Sequence, residues 1–300
     1  MENKKVMIKL GVIGFSEGNG HPYSWSAIFN GYNALYMSKS GFPVILDYLK
    51  DKNFPLDFID NGAVTGIWTQ DLELSKNIAN ASNIANVYED VDELIDSVDA
   101  VLLARDDAEN HHQFIEKAVN KGKFIYVDKP IALSTLQLSA IFELEKFKNQ
   151  IFSCSALQFA PELELSLKDR LLIGEIKEVS AYTPKSWEKY AVHIIEPTLK
   201  LFPDRGSIVK IEREHNKINS KVSVLWSSGL NTVFNSHNES KNPIQFIVLG
   251  SKGSKQLEFK DSFSAFKNAL SVFVSIIEGK ENPIPRSLLY DLVKILEINE

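Results

Sequence analysis

The residues with the plainest chemical potential are Asp128, Lys129 and Pro130, which follow the run Phe124-Ile125-Tyr126-Val127. An apolar, β-branched and aromatic run of this kind reads as a buried strand. Proline has no N–H to give a strand ladder, so the strand stops there. A carboxylate and a lysine are thereby delivered to the carboxyl end of a strand, where open α/β sheets bind ligands. An ammonium at that place can hydrogen-bond an oxygen, stabilise negative charge growing on it and share its proton. The alternative is an ordinary strand end whose lysine pairs with a neighbouring carboxylate. A second group lies in KSWEKYAVHIIEPTLKLF, residues 185–202. Val192, Ile195 and Leu199 share one helical face, and Trp187, Lys189, Tyr190 and His193 cluster near the start of that helix. His193 suits proton handling near neutral pH; a helix histidine satisfied by its neighbours is the alternative.

A third candidate is the glycine-rich stretch GFSEGNGHPYSW after the apolar run Lys9 to Phe15, with Gly14, Gly18 and Gly20. A helix is predicted to begin near Ser24, with serine as its N-cap. Strand, glycine loop and helix start form the arrangement that receives a dinucleotide pyrophosphate on bare amides and the helix dipole. The spacing is irregular. A G-x-G-x-x-G reading from Gly14 puts Ser16 at the second glycine and Asn19 at the third, and a plain glycine-rich turn is the competing reading. The next strand, VTGIW, ends at Thr69, Gln70 and Asp71. One of these would meet an adenosine ribose, an acid favouring NAD over NADP. Asp71 is equally suited to cap the helix that follows.

The elements that must position these groups alternate regularly. Between residues 6 and 130, short apolar strands (ANVYED, DAVLLA, FIYV) are separated by helical segments, and an inserted helix lies between Pro43 and Pro55. Near-continuous apolar strands joined by helices predict a doubly wound parallel sheet. Residues 131–149 read as a helix closing a first domain of residues 1–150. IFSCSALQF reads as a strand and PELELSLKDRLL as a proline-started helix. Alternating strands from residue 176 to 261, with Gly229 and Gly253 at turns, predict an antiparallel sheet in a second domain of residues 151–300.

Composition restricts the remaining choices. The 300 residues are 44% hydrophobic and 24% charged, as in a globular protein of one or two domains. The net charge of −6 without a basic block argues against nucleic acid as a partner. Cys154 is the single cysteine, so no internal disulfide forms. His111 and His112 are adjacent on a helix and face different directions, so no metal site is expected. No apolar run matches a membrane span or a signal peptide, and a cytoplasmic protein is expected.

The ordered motifs together resemble the glucose–fructose oxidoreductase and inositol dehydrogenase family of nicotinamide-dependent oxidoreductases. The resemblance rests on the strand and glycine loop at 10–20, on DVDELIDSVDAVLLA, and on HHQFIEKAVNKGKFIYVDKP, where His111 precedes Gly122 by eleven residues. QFAPEL, GEIKEVSAY and FKNALSVFVSIIEGKENPIP extend it over nearly the whole chain. It implies a Rossmann domain, then an α+β domain on an open, mostly antiparallel sheet that joins homodimers or homotetramers. It also implies NAD or NADP as cofactor and a sugar or sugar derivative as substrate. By resemblance, Gly14, Phe15, Ser16, Thr69, Asp71, Ala104, Arg105, Asp128, Lys129 and Pro130 face the cofactor. Lys129 would hold the hydroxyl being oxidised, and His193 would assist its proton. Gln158, Trp187, Lys189, Tyr190 and His193 would face the substrate.

Three departures stand out. Asp128 replaces the family's glutamate. Lys189 stands where an aspartate is usual, with Glu196 matching the pattern's last acid. Arg105-Asp106-Asp107 replaces the usual Thr-Pro after the fourth strand. Ser16, Lys189 and Gln158, each a departure at a site position, keep open an alternative: a non-catalytic, nucleotide- or sugar-binding regulator of the same fold.

Overall fold

The computed structural model describes residues 7–298, apart from Lys217 and Glu239. Residues 1–6, part of the opening stretch where no signal peptide is expected, lie outside the described residues. No helix among the described residues is long and apolar enough to cross a membrane.

The chain divides into two compact units. The first comprises residues 1–132, 136–154 and 266–284. Its sheet contains β1 (Ile8–Ile13), β2 (Gly62–Trp68), β3 (Asn86–Val87), β4 (Ala100–Leu103), β5 (Phe124–Val127) and β6 (Ile151–Ser153). Every pairing is parallel, in the order β3-β2-β1-β4-β5-β6. This is the doubly wound dinucleotide order, whose direction of progression reverses between β1 and β4. The strands form where the sequence is apolar on both faces: all four residues of β4 are buried, as are Leu10, Val12 and Ile13 of β1.

Several elements differ from the sequence reading. The first helix spans His21–Asn30, not the segment from Ser24. Pro22 fits its first turn because the missing N–H there would have no helical partner. Asn19 Oδ1 accepts the His21 N–H at 2.8 Å, and Ser24 is buried inside the helix. The helix read over 131–149 is confined to Thr135–Glu143. The strand read over 151–159 stops at Ser153, because a single 3₁₀ turn, Ala156–Phe159, follows. Pro161 opens another 3₁₀ turn, and the helix after it starts at Leu167 behind a Ser166–Asp169 capping box.

The boundary at residue 150 also differs. β6 pairs in parallel with β5 in the first sheet. Residues 266–284 return to the same unit, although the sequence reading gave them to the second domain. A column of aromatic rings accounts for this. His21 stacks on Trp25 at 5.0 Å between centroids, Trp25 on Tyr126 at 4.7 Å, and Tyr126 meets Phe152 edge-on at 4.8 Å. Phe273 stacks on Phe152 at 5.9 Å and is wholly buried. Such rings dominate core energetics through area and quadrupole geometry.

The second unit comprises residues 133–135, 155–265 and 285–300. Its sheet is built from β7 (Ile176–Pro184), β8 (Ile208–His215), β9 (Asn219–Trp226), β10 (Asn231–His237), β11 (Gln245–Gly250) and β12 (Ser254–Glu258). The order is β12-β11-β7-β10-β9-β8. All pairs are antiparallel except β7 with β10. Gly229, with φ of 87°, turns the chain between β9 and β10.

Truncating Phe273 to alanine should remove about 3–5 kcal/mol of stability. Urea unfolding monitored by circular dichroism measures this, and a loss below about 1 kcal/mol would contradict the anchoring role of Phe273.

Candidate functional site

In the first unit the candidate residues gather at the carboxyl ends of β1, β4 and β5. Gly14 ends β1 so close to the first helix that a Cβ there would lie 3.0 Å from Pro22 Cγ. Gly18 has φ of 80° and open space where a side chain would stand. The strand–loop–helix turn is therefore as tight as a dinucleotide turn requires, with Ser16 in the second glycine position.

Asp128 joins this loop to β5. Its side chain is 1% exposed. Oδ2 accepts from Asn19 Nδ2 at 2.8 Å and meets His21 Nδ1 at 2.5 Å. Oδ1 accepts the Lys129 backbone N–H at 2.8 Å. Burial alone would raise this carboxyl group's pKa, but His21, Lys129 and Asn19 outweigh burial and hold it well below the usual range. Lys129 is buried too, with its side chain 10% exposed and Nζ 3.5 Å from Asp106 Oδ2.

The loop after β4 faces the glycine loop across the switch point. Ser16 Oγ donates to Asp106 Oδ1 at 2.5 Å and accepts the Asp106 N–H at 3.0 Å. Ala104 donates its N–H to Ile13 O. Arg105 grips Asp107 with Nε at 3.0 Å and Nη2 at 2.6 Å, and its Nη1 reaches Gln70 Oε1 at 3.1 Å. Burial works against the Asp107 carboxylate, yet Arg105 and Asn110 lower its pKa below the ordinary value. Charges across these loops are thus paired, acid with base. His111 is wholly buried with its ring nitrogens on the carbonyls of Arg105 and Ile131, a structural position.

At the end of β2, Asp71 accepts from the amides of Glu73 and Leu74 and caps the next helix. Of its two sequence readings, the cap is the one the structure displays. Thr69 Oγ1 bonds Asp71 O and Ser75 Oγ. Gln70 clasps the Phe15 backbone, accepting from its N–H at 2.9 Å and donating to its carbonyl at 2.7 Å.

These loops fit a dinucleotide. The backbone of residues 14–20 would hold pyrophosphate, Thr69 to Asp71 would lie toward the adenosine ribose, and Ala104, Arg105 and Lys129 would serve the nicotinamide half. Asn19, His21 and Asp106 were not assigned to the site from sequence, whereas Gln70 was a candidate for the ribose and instead holds the Phe15 backbone. The signal for the first two was their position bracketing Gly20 in the loop after a strand. The signal for Asp106 was the acidic replacement after β4.

The second unit holds the other candidate group. His193 Nδ1 lies 2.9 Å from Ser155 Oγ, and Tyr190 meets the imidazole edge-on at 5.2 Å. Ser155 carried no signal, because its apolar surroundings read as strand. Glu196 is wholly buried, accepts the Ser155 N–H at 2.6 Å, and bonds Gln158 Nε2. Trp187 is buried beneath the Arg213 guanidinium, 5.7 Å from the ring centroid, whereas Lys189 is exposed. Burial pushes the Glu196 carboxyl up to about 8, against the opposing pull of Ser155, Gln158 and Lys200.

From its ordinary value of 4.5 up to about 8, folded Glu196 retains a proton that the unfolded chain releases. Stability should therefore fall as pH rises through that window, by a few kcal/mol at most. Denaturant midpoints across the window measure this, and Glu196→Gln should flatten the profile. An equally steep profile in the variant would assign the effect elsewhere.

The sequence model of the oxidoreductase family with an NAD-binding Rossmann fold matches residues 8–155. No curated protein matches the chain. Among solved structures, myo-inositol dehydrogenase from Lactobacillus casei, in complex with NAD(H) and myo-inositol, aligns with a TM-score of 0.73 and 16% identity, covering 97% of this chain and 93% of that one. Apo scyllo-inositol dehydrogenase from the same organism gives 0.72 and 12%, covering 97% and 94%. A dehydrogenase from Clostridium difficile gives 0.66 and 16%, covering 97% of each chain. At such identities the likeness establishes the shared fold alone.

Proposed function

Since residues 8–155 belong to the oxidoreductase family with an NAD-binding Rossmann fold, we propose that this NAD(P)-dependent oxidoreductase acts at a hydroxyl-bearing carbon of a sugar or sugar derivative. The observation that carries the reading is Lys129, an ammonium held at the carboxyl end of β5 beside the glycine loop, its side chain 10% exposed. A bound nicotinamide supplies the hydride acceptor or donor. Lys129 donates a hydrogen bond to the reacting oxygen, orients it, and stabilises the negative charge that grows as its proton leaves. Asp128, locked by His21 and Asn19, fixes the backbone from which Lys129 projects.

In the second unit, His193 with Ser155 is the proposed proton-handling pair. Trp187, Tyr190, Gln158 and Lys189 are the proposed substrate contacts. An exposed cation at Lys189 suits a substrate with an acidic or phosphate substituent. The myo-inositol bound in the Lactobacillus casei structure supports a polyol or sugar class for this chain. A homodimer or homotetramer through the second sheet belongs to the same proposal, supported by exposed Val209, Leu225 and Leu249 on its strands.

Lys129→Ala should lower turnover of NAD with the best substrate from a panel of inositols and sugar acids by at least about a hundredfold. NADH affinity, read by fluorescence titration, should change by less than about tenfold, or about 1.4 kcal/mol. Unchanged turnover would remove Lys129 from catalysis. Tight NADH binding by a wild-type chain that oxidises nothing would favour the non-catalytic regulator.

A further inference from the structure

Asp106 stands in a position that the reading above does not use. It follows β4 on one side of the switch point, and its carboxylate faces two ways. Oδ1 takes the Ser16 hydroxyl at 2.5 Å, and Oδ2 lies 3.5 Å from Lys129 Nζ. Its backbone N–H returns to Ser16 Oγ at 3.0 Å, so two bonds with Ser16 fix where the carboxylate stands. Its neighbours Arg105 and Asp107 are engaged with each other. Asp128, the acid next to Lys129 in sequence, spends its oxygens on Asn19, His21 and a backbone amide. Asp106 is therefore the carboxylate paired with the lysine ammonium, and its side chain is 32% exposed.

We propose that Asp106 is a positioning residue for the reaction: tied to the glycine loop through Ser16, it holds the Lys129 ammonium in place and balances its charge. The proposal rests on the assignment of Lys129 above. A lysine side chain has four rotatable carbons and considerable rotamer freedom. An acceptor fixed from outside the lysine's own strand removes much of that freedom before a substrate arrives, which is where positioning lowers a barrier. The Ser16 tie supplies the rigidity, since a free aspartate would lose as much entropy as it spared the lysine.

The test reads Lys129 directly in the protein without cofactor, as its rate of acetylation by acetic anhydride, followed by peptide mass spectrometry. Asp106→Asn should raise that rate at least about threefold, the scale of one partly buried ion pair. Asp106→Glu, which keeps the charge, should stay within about twofold of wild type, and Ser16→Ala, which frees the aspartate from the glycine loop, should give a rise smaller than that of Asp106→Asn. A rate unchanged in Asp106→Asn overturns the proposal. So does a Ser16→Ala rate equal to wild type, which would mean that the serine tie does not hold the aspartate on the lysine. With the panel substrate, Asp106→Asn should lower kcat at least about tenfold with little change in KM for NAD, and Asp106→Glu should recover part of it. Loss of turnover in Lys129→Ala with full turnover in Asp106→Asn would sink this proposal alone. Full turnover in Lys129→Ala would sink the functional reading beneath it.

Discussion

The first unit depends on one buried carboxylate. Asp128 sits at the end of β5 with almost no access to water, where an unpaired charge would cost several kcal/mol. Its two oxygens reach the side chains of Asn19 and His21, which flank the start of the first helix, and the amide of Lys129. Those bonds make the charge tolerable, and they also set geometry. The turn after β1, the first turn of the helix and the backbone of the lysine are fixed to one side chain. The irregular glycine pattern becomes intelligible here. Asn19 occupies the place of a third glycine because its amide is required on Asp128 and its carbonyl on His21.

Much of the first unit was legible in the sequence because parallel strands buried on both faces leave uninterrupted apolar runs. FIYV, DAVLLA and VTGIW all became strands close to their expected places. The lysine could be found because proline marks where its strand must stop. The glycine-loop network was harder to read. His21, Gln70 and Asp106 meet their partners across 55 to 107 residues of sequence, and no local spacing encodes such pairings. The first helix was misplaced because Ser24 is a good cap by type, whereas Pro22 and Asn19 had already begun the helix. In the second unit, Ser155 was hidden inside an apolar run, and the strand expected there gives way to a turn where Glu196 captures its amide.

The two proposed proton-handling groups live in different electrostatic settings. Around Lys129 each nearby aspartate has a partner: Asp106 pairs with the lysine itself, Asp107 with Arg105, and Asp128 with Asn19 and His21. In the second unit Glu196, which shares Ser155 with His193, is buried with polar partners that offset its desolvation only in part. It joins the 3₁₀ turn to the helix at Val192–Leu201 as a neutral or nearly neutral acid, giving structure at the position that matches the last acid of the family pattern.

The return of residues 266–284 to the first unit has a consequence for how the chain is made. A ribosome releases β1 to β6 while Phe273 is still unsynthesised, so Tyr126 and Phe152 lack the ring that completes their column. The Rossmann half cannot finish folding as an independent amino-terminal domain, the usual course for a nascent multidomain chain. It must wait for residues 266–284 to emerge, with residues 155–265 of the second unit made in the interval. Completion of the nucleotide-binding half is thereby made conditional on translation of a segment far beyond its own last strand.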